Sequence, residues 1–441
     1  MKTALIITYY WPPSGGAGVQ RWLKFVKYLR EFGWEPVVFC PENPEYPEHD
    51  LSLSKDIPEG IEVLKAPIWE PYQIYKKVMG QKKEAKISAA FLTEKKKNKL
   101  LENFSVWIRG NFFIPDARKY WIRPAVKCLS AYVESHHVDV VISTGPPHTT
   151  HLIAMKLASR FNLPWLADFR DPWTKIDFYH QLKLSTWADR RHQQLELSVL
   201  QKASSVTVIS ETMADDFNTI FPRKYEVITN GFDPADLIHF VPVRDKKFSI
   251  AHIGTLVSTR NPLPVWQALN ELLELQPELS NDLEIKLVGK VDINVMTSLE
   301  SYGLSPFVRK ISYMPHDEVV KCQQESQVLL LIINNTPNSK MILTGKFFEY
   351  LAAGRPILCL GPEDGDAAKI LEETHSGLLA GFGDSETMKK HILQLYTAYR
   401  SGPVEIDSSG TEKYSRKSLT RHLATILDEI TSTRLQGQDI R

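Results

Sequence analysis

Short uninterrupted apolar runs recur along the chain. Between them lie stretches whose apolar residues fall at i, i+3 and i+4. The first series of runs covers residues 4–7, 37–40, 139–143, 164–167 and 206–209, with less apolar ones at 61–64 and 226–229. A second series covers residues 248–253, 283–288, 308–312, 328–333 and 357–360, with a short last one at 376–378. The fully apolar runs among them, such as 4–7 and 357–360, read as strands buried on both faces. The intervening stretches read as helices. Trp22, Phe25, Val26 and Leu29 share one face, with Arg21, Lys24 and Lys27 placed elsewhere. Residues 152–161 and the polar stretch 177–201 are further helices, and Leu419, Leu423 and Ile426 line one face of another at 414–430. Strand, helix and strand in repeated succession predict parallel sheets built of βαβ units. The two series predict an α/β chain of two doubly wound, Rossmann-like domains facing a cleft, residues 1–235 and 236–412, with a Pro-bearing linker at about 234–247 and a terminal helical segment over 413–441.

In open α/β sheets, ligands bind beyond the carboxyl ends of the strands, so the loops there hold the candidate chemistry. After the first strand, Gly15 and Gly16 allow backbone to approach a ligand closely, or serve as a plain turn. The spacing GxGxxG is absent, so the dinucleotide fingerprint is not met. After residues 139–143 comes Thr144-Gly145-Pro146-Pro147-His148-Thr149-Thr150-His151. Thr149 or Thr150 is placed to cap the next helix, and His148 and His151 are close enough in sequence to face one way. After residues 164–167 comes Asp168-Phe169-Arg170-Asp171-Pro172-Trp173. This is either a structural ion pair of Arg170 with Asp168 or Asp171, or an acceptor-binding rim. This stretch contains no Asp-x-Asp, which predicts that no metal is required. Asn230-Gly231-Phe232-Asp233 reads as a turn, and Gly254 begins a second glycine loop that carries Arg260 and ends at Pro262, suited to a first helical turn. Last comes Thr344-Gly345-Lys346-Phe347-Phe348-Glu349-Tyr350-Leu351, with Phe347, Tyr350 and Leu351 on one helical face and Gly354 at the stop. Thr344 and Gly345 open this helix where free N–H groups and the dipole favour an anion. Lys346 adds a cation, and Glu349, about a turn later, a carboxylate able to grip a diol. A diphosphate and a ribose are the simplest ligand for that layout.

Composition narrows the classes. A formal net charge of +1 argues against bulk nucleic-acid binding. The four cysteines are scattered and show no metal-binding spacing, as expected of a reduced cytoplasmic chain. Residues 4–7 are too short for a signal-peptide core, and no apolar run reaches the roughly 20 residues needed to span a bilayer. Membrane contact is therefore expected to be peripheral. Residues 72–121 are unusual, mixing many lysines with Trp107, Phe112, Phe113, Tyr120 and Trp121. They read either as a solvated helical insertion or as a face resting on anionic lipid headgroups.

Lys346-Phe-Phe-Glu-Tyr-Leu-Ala-Ala-Gly-Arg-Pro356 resembles the donor-site segment of GT-B glycosyltransferases, glycosyltransferase family 4 in particular. The resemblance covers nearly the whole chain and is weakest over 41–115. It implies a retaining transferase that moves a sugar from a nucleotide diphosphate to an acceptor hydroxyl without a cofactor. Glu349 matches the glutamate that holds the nucleotide ribose. The earlier glutamate of the family motif falls at Met341. Thr255 stands where the family places an arginine, and Arg260 falls close to the next basic place. By the same resemblance, Gly15, Gly16, Gly254, Arg260, Thr344, Gly345, Lys346 and Glu349 are expected to bind donor. His148, His151, Asp171, Arg260 and Lys346 are expected to serve catalysis, and Asp168 and Arg170 the acceptor side. The terminal helix is expected to return to the first domain. The expected partners are a nucleotide sugar and a glycan or lipid-linked acceptor of envelope synthesis, with an anionic membrane surface as a further candidate. Two other readings stay open: a GT-B-type sugar-nucleotide epimerase, and a non-catalytic membrane-surface protein with a degenerate donor site.

Overall fold

A computed structural model describes all residues except 47–48, 71–98, 238–241, 313, 403–405, 407–409 and 439–441, with a few further side chains undescribed. Two parallel sheets organise the chain, as the apolar runs predict. The first contains β1 (Lys2–Ile7), β2 (Trp34–Pro41), β3 (Glu62–Ala66), β4 (Val140–Gly145), β5 (Trp165–Phe169), β6 (Ser205–Val208) and β7 (Glu226–Val227). Its order is β3-β2-β1-β4-β5-β6-β7. The second contains β8 (Phe248–Ile253), β9 (Leu283–Val288), β10 (Val308–Ile311), β11 (Val328–Ile332), β12 (Ile357–Leu360) and β13 (Gly377–Ala380), in the order β10-β9-β8-β11-β12-β13. Every pairing within them is parallel. Strand order reverses beside β1 and β4 in one sheet and beside β8 and β11 in the other. At such a reversal the connections leave to opposite sides and open a crevice at the carboxyl ends.

Contacts divide the chain into one unit of Met1–Thr229 with Leu419–Arg441 and a second of Asn230–Ser418. In the first, Trp22, Phe25, Val26 and Leu29 of the Ala17–Leu29 helix pack with Leu419, Leu423 and Ile426 of the Arg416–Gln438 helix. In the second, β8 is buried on both faces. Phe248 and Ile250 join one core, while Ala251 and Ile253 join another with Phe347, Tyr350 and Leu351.

Three local expectations are corrected. The helix expected over 177–201 runs over Thr186–Lys202, behind a short turn at Tyr179–Leu182. The reason is tertiary: Asn111 accepts from the Ser185 N–H at 2.7 Å and donates to the Lys183 carbonyl at 3.2 Å, which frees Ser185 to cap the helix. Arg21 and Lys24 are buried rather than peripheral. Lys24 pairs with Asp56 at 2.9 Å, and Arg21 is discussed below. The helix after β4 begins at Thr149 with His148 in the cap position, so neither threonine side chain caps it; Asp116 accepts from the Thr149 N–H at 2.9 Å instead. Much of the 72–121 region lies outside the described residues; its described end is the Lys99–Phe112 helix and the segment after it. Among the described residues, no helix is long and apolar enough to cross a membrane.

Candidate active site

In the second unit the candidate residues gather at the reversal beside β8 and β11. The Gly345–Ala352 helix starts where Thr344 Oγ1 accepts from the Phe347 N–H at 3.4 Å. Phe347, Tyr350 and Leu351 anchor one face, and the Tyr350 hydroxyl accepts from the Ile253 N–H at 3.1 Å. That bond ties the helix to the end of β8. Lys346 and Glu349 lie off the buried face, a helical turn apart. Arg355 ends the segment structurally, donating to the Ser326 carbonyl at 2.7 Å.

Gly254 follows β8 at φ 122°, a conformation L side chains rarely adopt. A Cβ placed there would lie 2.5 Å from Lys346 Nζ, so the glycine lets the ammonium lie against the backbone. The loop to Arg260 is braced: Asn261 donates to Ser298 Oγ at 2.8 Å and accepts from the Trp266 indole at 2.9 Å. Among the described residues, neither Lys346 nor Arg260 has a side-chain hydrogen bond or an ion-pair partner. Burial first, and then nearby Arg260, lower the Lys346 pKa to about 8 against the upward pull of Glu349. Burial also lowers Arg260. Glu349 accepts from Gln323 at 3.3 Å. Lys346 thus feels both Arg260 and Glu349, so the three expected donor residues share one neighbourhood.

His252, on β8, was not anticipated. Its Nδ1 lies 3.0 Å from the Leu330 carbonyl, its Nε2 is buried without a partner, and burial with the Lys346 charge holds its pKa at about 3. It is therefore a neutral imidazole near the two cations. Met341 is buried at 5 % exposure in a short turn, packed as an apolar side chain.

The first unit presents its groups beyond β1, β4 and β5. Gly16 opens the Ala17–Leu29 helix at φ 87°, with Gly15 buried beside it. Asp168 is fully buried, and its partner is Arg21, at 2.8 Å, rather than Arg170. The Trp22 indole donates to it at 2.7 Å, Thr144 at 2.8 Å and Thr207 at 2.9 Å. Its oxygens are occupied within the protein. Arg21 was legible in principle, because it stands one turn before Phe25 on the apolar stripe.

Arg170 bonds carbonyls instead of carboxylates: Gly18 at 2.8 Å, Gly145 at 3.3 Å, and Pro146. It pins the loop after β1 to the loop after β4 and keeps an unneutralised charge at the sheet's carboxyl end. Asp171 follows at an exposed position. Surrounding protein raises its carboxyl to about 6 against the pull of Arg170, and its open contact with solvent makes that value an upper bound.

His148 stacks on Trp173, with ring centroids 4.4 Å apart and planes 1° from parallel. Its Nδ1 is buried without a partner. His151 lies deeper: Nδ1 meets Ser143 Oγ at 2.8 Å, and Nε2 has no partner. Burial keeps both rings neutral, with neighbouring charge adding to it at His148; His151 falls to about 3 against the upward pull of Asp168. Gly145 is squeezed between them, since a Cβ there would lie 2.5 Å from His151 Nε2 and 3.0 Å from His148 Nδ1. The support beneath was not anticipated. Trp173 donates its indole N–H to His192 at 3.0 Å, and buried Glu196 accepts from the Trp173 and Thr174 N–H groups.

Two parallel sheets with their helices, each bearing a polar cluster at its strand-order reversal, define the class: this is the GT-B fold of glycosyltransferases, as the Lys346–Pro356 resemblance implied. More particularly, residues 104–231 match the family model of the glycosyl transferase 4-like domain, a stretch that holds His148, His151, Asp168, Arg170 and Asp171. Solved structures agree on the fold. A glycosyltransferase from Rickettsia africae is 14% identical with a TM-score of 0.61, over 97% of this chain and 98% of that one. WaaG, a glycosyltransferase involved in lipopolysaccharide biosynthesis, is 12% identical with a TM-score of 0.56, over 96% of this chain and 99% of its own. Anabaena HepE, solved with UDP-glucose, is 12% identical with a TM-score of 0.53, over the full length of both chains. No curated protein is a significant match to the sequence. Family model and fold together support a glycosyltransferase as the enzyme class.

Proposed function

We propose that the protein is a retaining glycosyltransferase that moves a sugar from a nucleotide diphosphate to an acceptor hydroxyl. The observation that carries this reading is the pair Lys346 and Arg260, two half-buried cations without an ion-pair partner among the described residues. Sheltering unpaired charge is costly, and a bound anion removes the cost. In the proposal the two cations and the amides at the start of the Gly345–Ala352 helix receive the diphosphate, and Glu349 holds the ribose. As the glycosidic bond breaks, negative charge grows on the leaving diphosphate, where these groups already point. Gly15 and Gly16 are assigned to the donor, His148 and Asp171 to catalysis, and Arg170 to the acceptor side. His151 and Asp168 support them from below, because their polar atoms face the interior.

The neutral state of His148 suits it to accept a hydrogen bond from an acceptor or sugar hydroxyl. No metal or cofactor enters the scheme. HepE was solved with UDP-glucose and WaaG is involved in lipopolysaccharide biosynthesis, which favours a nucleotide sugar as donor and an envelope glycan or glycolipid as acceptor. An acceptor of that kind places the reaction at an anionic membrane surface. The test is a thermal-shift screen of nucleotide sugars followed by product analysis with the best ligand. A sugar nucleotide that stabilises the wild type but not Lys346→Ala or Glu349→Ala is the expected result. A chain that no sugar nucleotide stabilises refutes the proposal, and release of an epimerised donor without transfer assigns epimerisation instead.

A further inference from the structure

We propose that His252 and Tyr350 are positioning residues of the donor site. Each takes one half of a hydrogen bond that β8 and β11 would otherwise share, and together they hold the two strands apart where Lys346 sits. The purpose of this arrangement rests on the donor-site reading above; the arrangement itself rests on strand geometry alone.

The two strands part early. β8 pairs with β11 at Ile250↔Val328 and Ala251↔Leu329, and there the pairing stops. Each strand continues with its other neighbour, β8 as far as Ile253↔Val288 and β11 as far as Ile332↔Leu360. The next pair in register is His252 with Leu330. The Leu329 N–H is bonded to the Pro356 carbonyl and the Gly254 N–H to the Val288 carbonyl. Backbone groups alternate between neighbours along a parallel strand, so the Leu330 carbonyl and the Ile253 N–H are the two halves of the missing bond. Side chains satisfy both instead. The Ile253 N–H donates to the Tyr350 hydroxyl at 3.1 Å, and the Leu330 carbonyl accepts from His252 Nδ1 at 3.0 Å. Both side chains are buried, and a buried backbone group left without a partner is costly.

The split lies against the lysine. Gly254 follows Ile253, and Lys346 Nζ sits 2.5 Å from where a Gly254 Cβ would be. Tyr350 stands one turn after Lys346 on the Gly345–Ala352 helix. Its bond to Ile253 therefore fixes the height of that helix against the end of β8, and with it the place of the ammonium. A carbonyl only accepts, so His252 carries its hydrogen on Nδ1 and keeps a lone pair on Nε2, which is buried without a partner. Burial first, and then the Lys346 charge, keep the ring neutral. The ring thus fills the split without bringing an acid that would neutralise the ammonium. Closing the missing bond would draw the Gly254 loop toward β11 and away from Lys346.

The test is a double-variant cycle of His252→Leu and Tyr350→Phe in the full chain. Without nucleotide, it is read by thermal melts and by the pH dependence of amine labelling at Lys346, followed by mass spectrometry. Each single variant leaves one buried backbone group unpaired and lowers the melting temperature. In the double variant the Ile253 N–H and the Leu330 carbonyl pair with each other, so its loss is expected to be smaller than the sum of the two. The Lys346 labelling midpoint is expected to move from about 8 toward 10.5 in the double variant as the ammonium is released to water. Affinity for UDP, measured by calorimetry, is expected to fall about tenfold although stability partly returns, as for loss of one charge-assisted hydrogen bond. His252→Asn, whose amide N–H can serve the same carbonyl, should keep both the melting temperature and the midpoint near wild type. A double-variant loss equal to or above the sum, or an unchanged Lys346 midpoint, overturns the proposal. Should the wild type bind neither UDP nor UDP-glucose while the coupling and the midpoint shift are both seen, the donor-site reading fails and the split between the strands stands.

Discussion

The two units treat buried charge in opposite ways. In the first, Asp168 is matched by Arg21 and three further donors, and Arg170 spends its donors on carbonyls. In the second, Lys346 lies within the field of Arg260, and neither has an ion-pair partner among the described residues. At Asp168 the pattern is scaffolding, because the protein already supplies every partner of its carboxylate. The second is incomplete chemistry, stabilised when an anion arrives. Strand-order reversal alone selects both places, and only the state of the partners tells them apart.

The contrast breaks most visibly at Asp168. Asp168→Ala leaves the Arg21 guanidinium buried and unmatched and should cost about 3–5 kcal/mol, read by urea denaturation. A near-neutral result would remove the scaffold reading of the first unit. Lys346→Met should do the reverse to the free protein, leaving stability equal or higher while sugar-nucleotide affinity falls about 10- to 100-fold by calorimetry. Loss of stability with affinity intact would show that Lys346 belongs to the scaffold.

Gly145→Ala forces a methyl group against His151 and His148 and should destabilise by about 1–3 kcal/mol through overpacking. Thermal melts check it, and a His151→Ala background should recover part of the loss. A smaller effect concerns pH. The unfolded chain holds the Lys346 proton up to the ordinary lysine value of 10.5, the folded chain only up to about 8. The penalty for the sheltered ammonium is full below about 8 and fades as pH rises toward 10.5. The stability advantage of Lys346→Met over wild type should therefore narrow across that window. A bound diphosphate favours the ammonium, so binding near pH 8 should take up a proton, visible as a buffer-dependent calorimetric heat. A gap constant with pH would place the Lys346 charge in water.

Much of the fold was legible because its signals are local. β12 coincides with its apolar run and β11 nearly so, since continuous hydrophobicity marks a strand covered on both faces. The Gly345–Ala352 helix was readable down to its cap, because Thr344, the spacing of Phe347, Tyr350 and Leu351, and Gly354 act within a few turns of chain. The helix beginning at Thr186 was misplaced because Asn111 decides its start from a distant part of the sequence. His192, Glu196 and His252 gave no local signal at all.

The sequence by itself determined two parallel α/β sheets, the loops at their carboxyl ends and the placement of Lys346 and Glu349 a turn apart, all set by short-range periodicity and backbone propensity. Tertiary structure alone decided the partners. Asp168 was joined to Arg21 across 147 positions rather than to its neighbour Arg170, and Lys346 was left near Arg260 and Glu349 with no ion-pair partner among the described residues. Pairing of buried charge depends on which side chains meet in space, and local patterning carries no record of that.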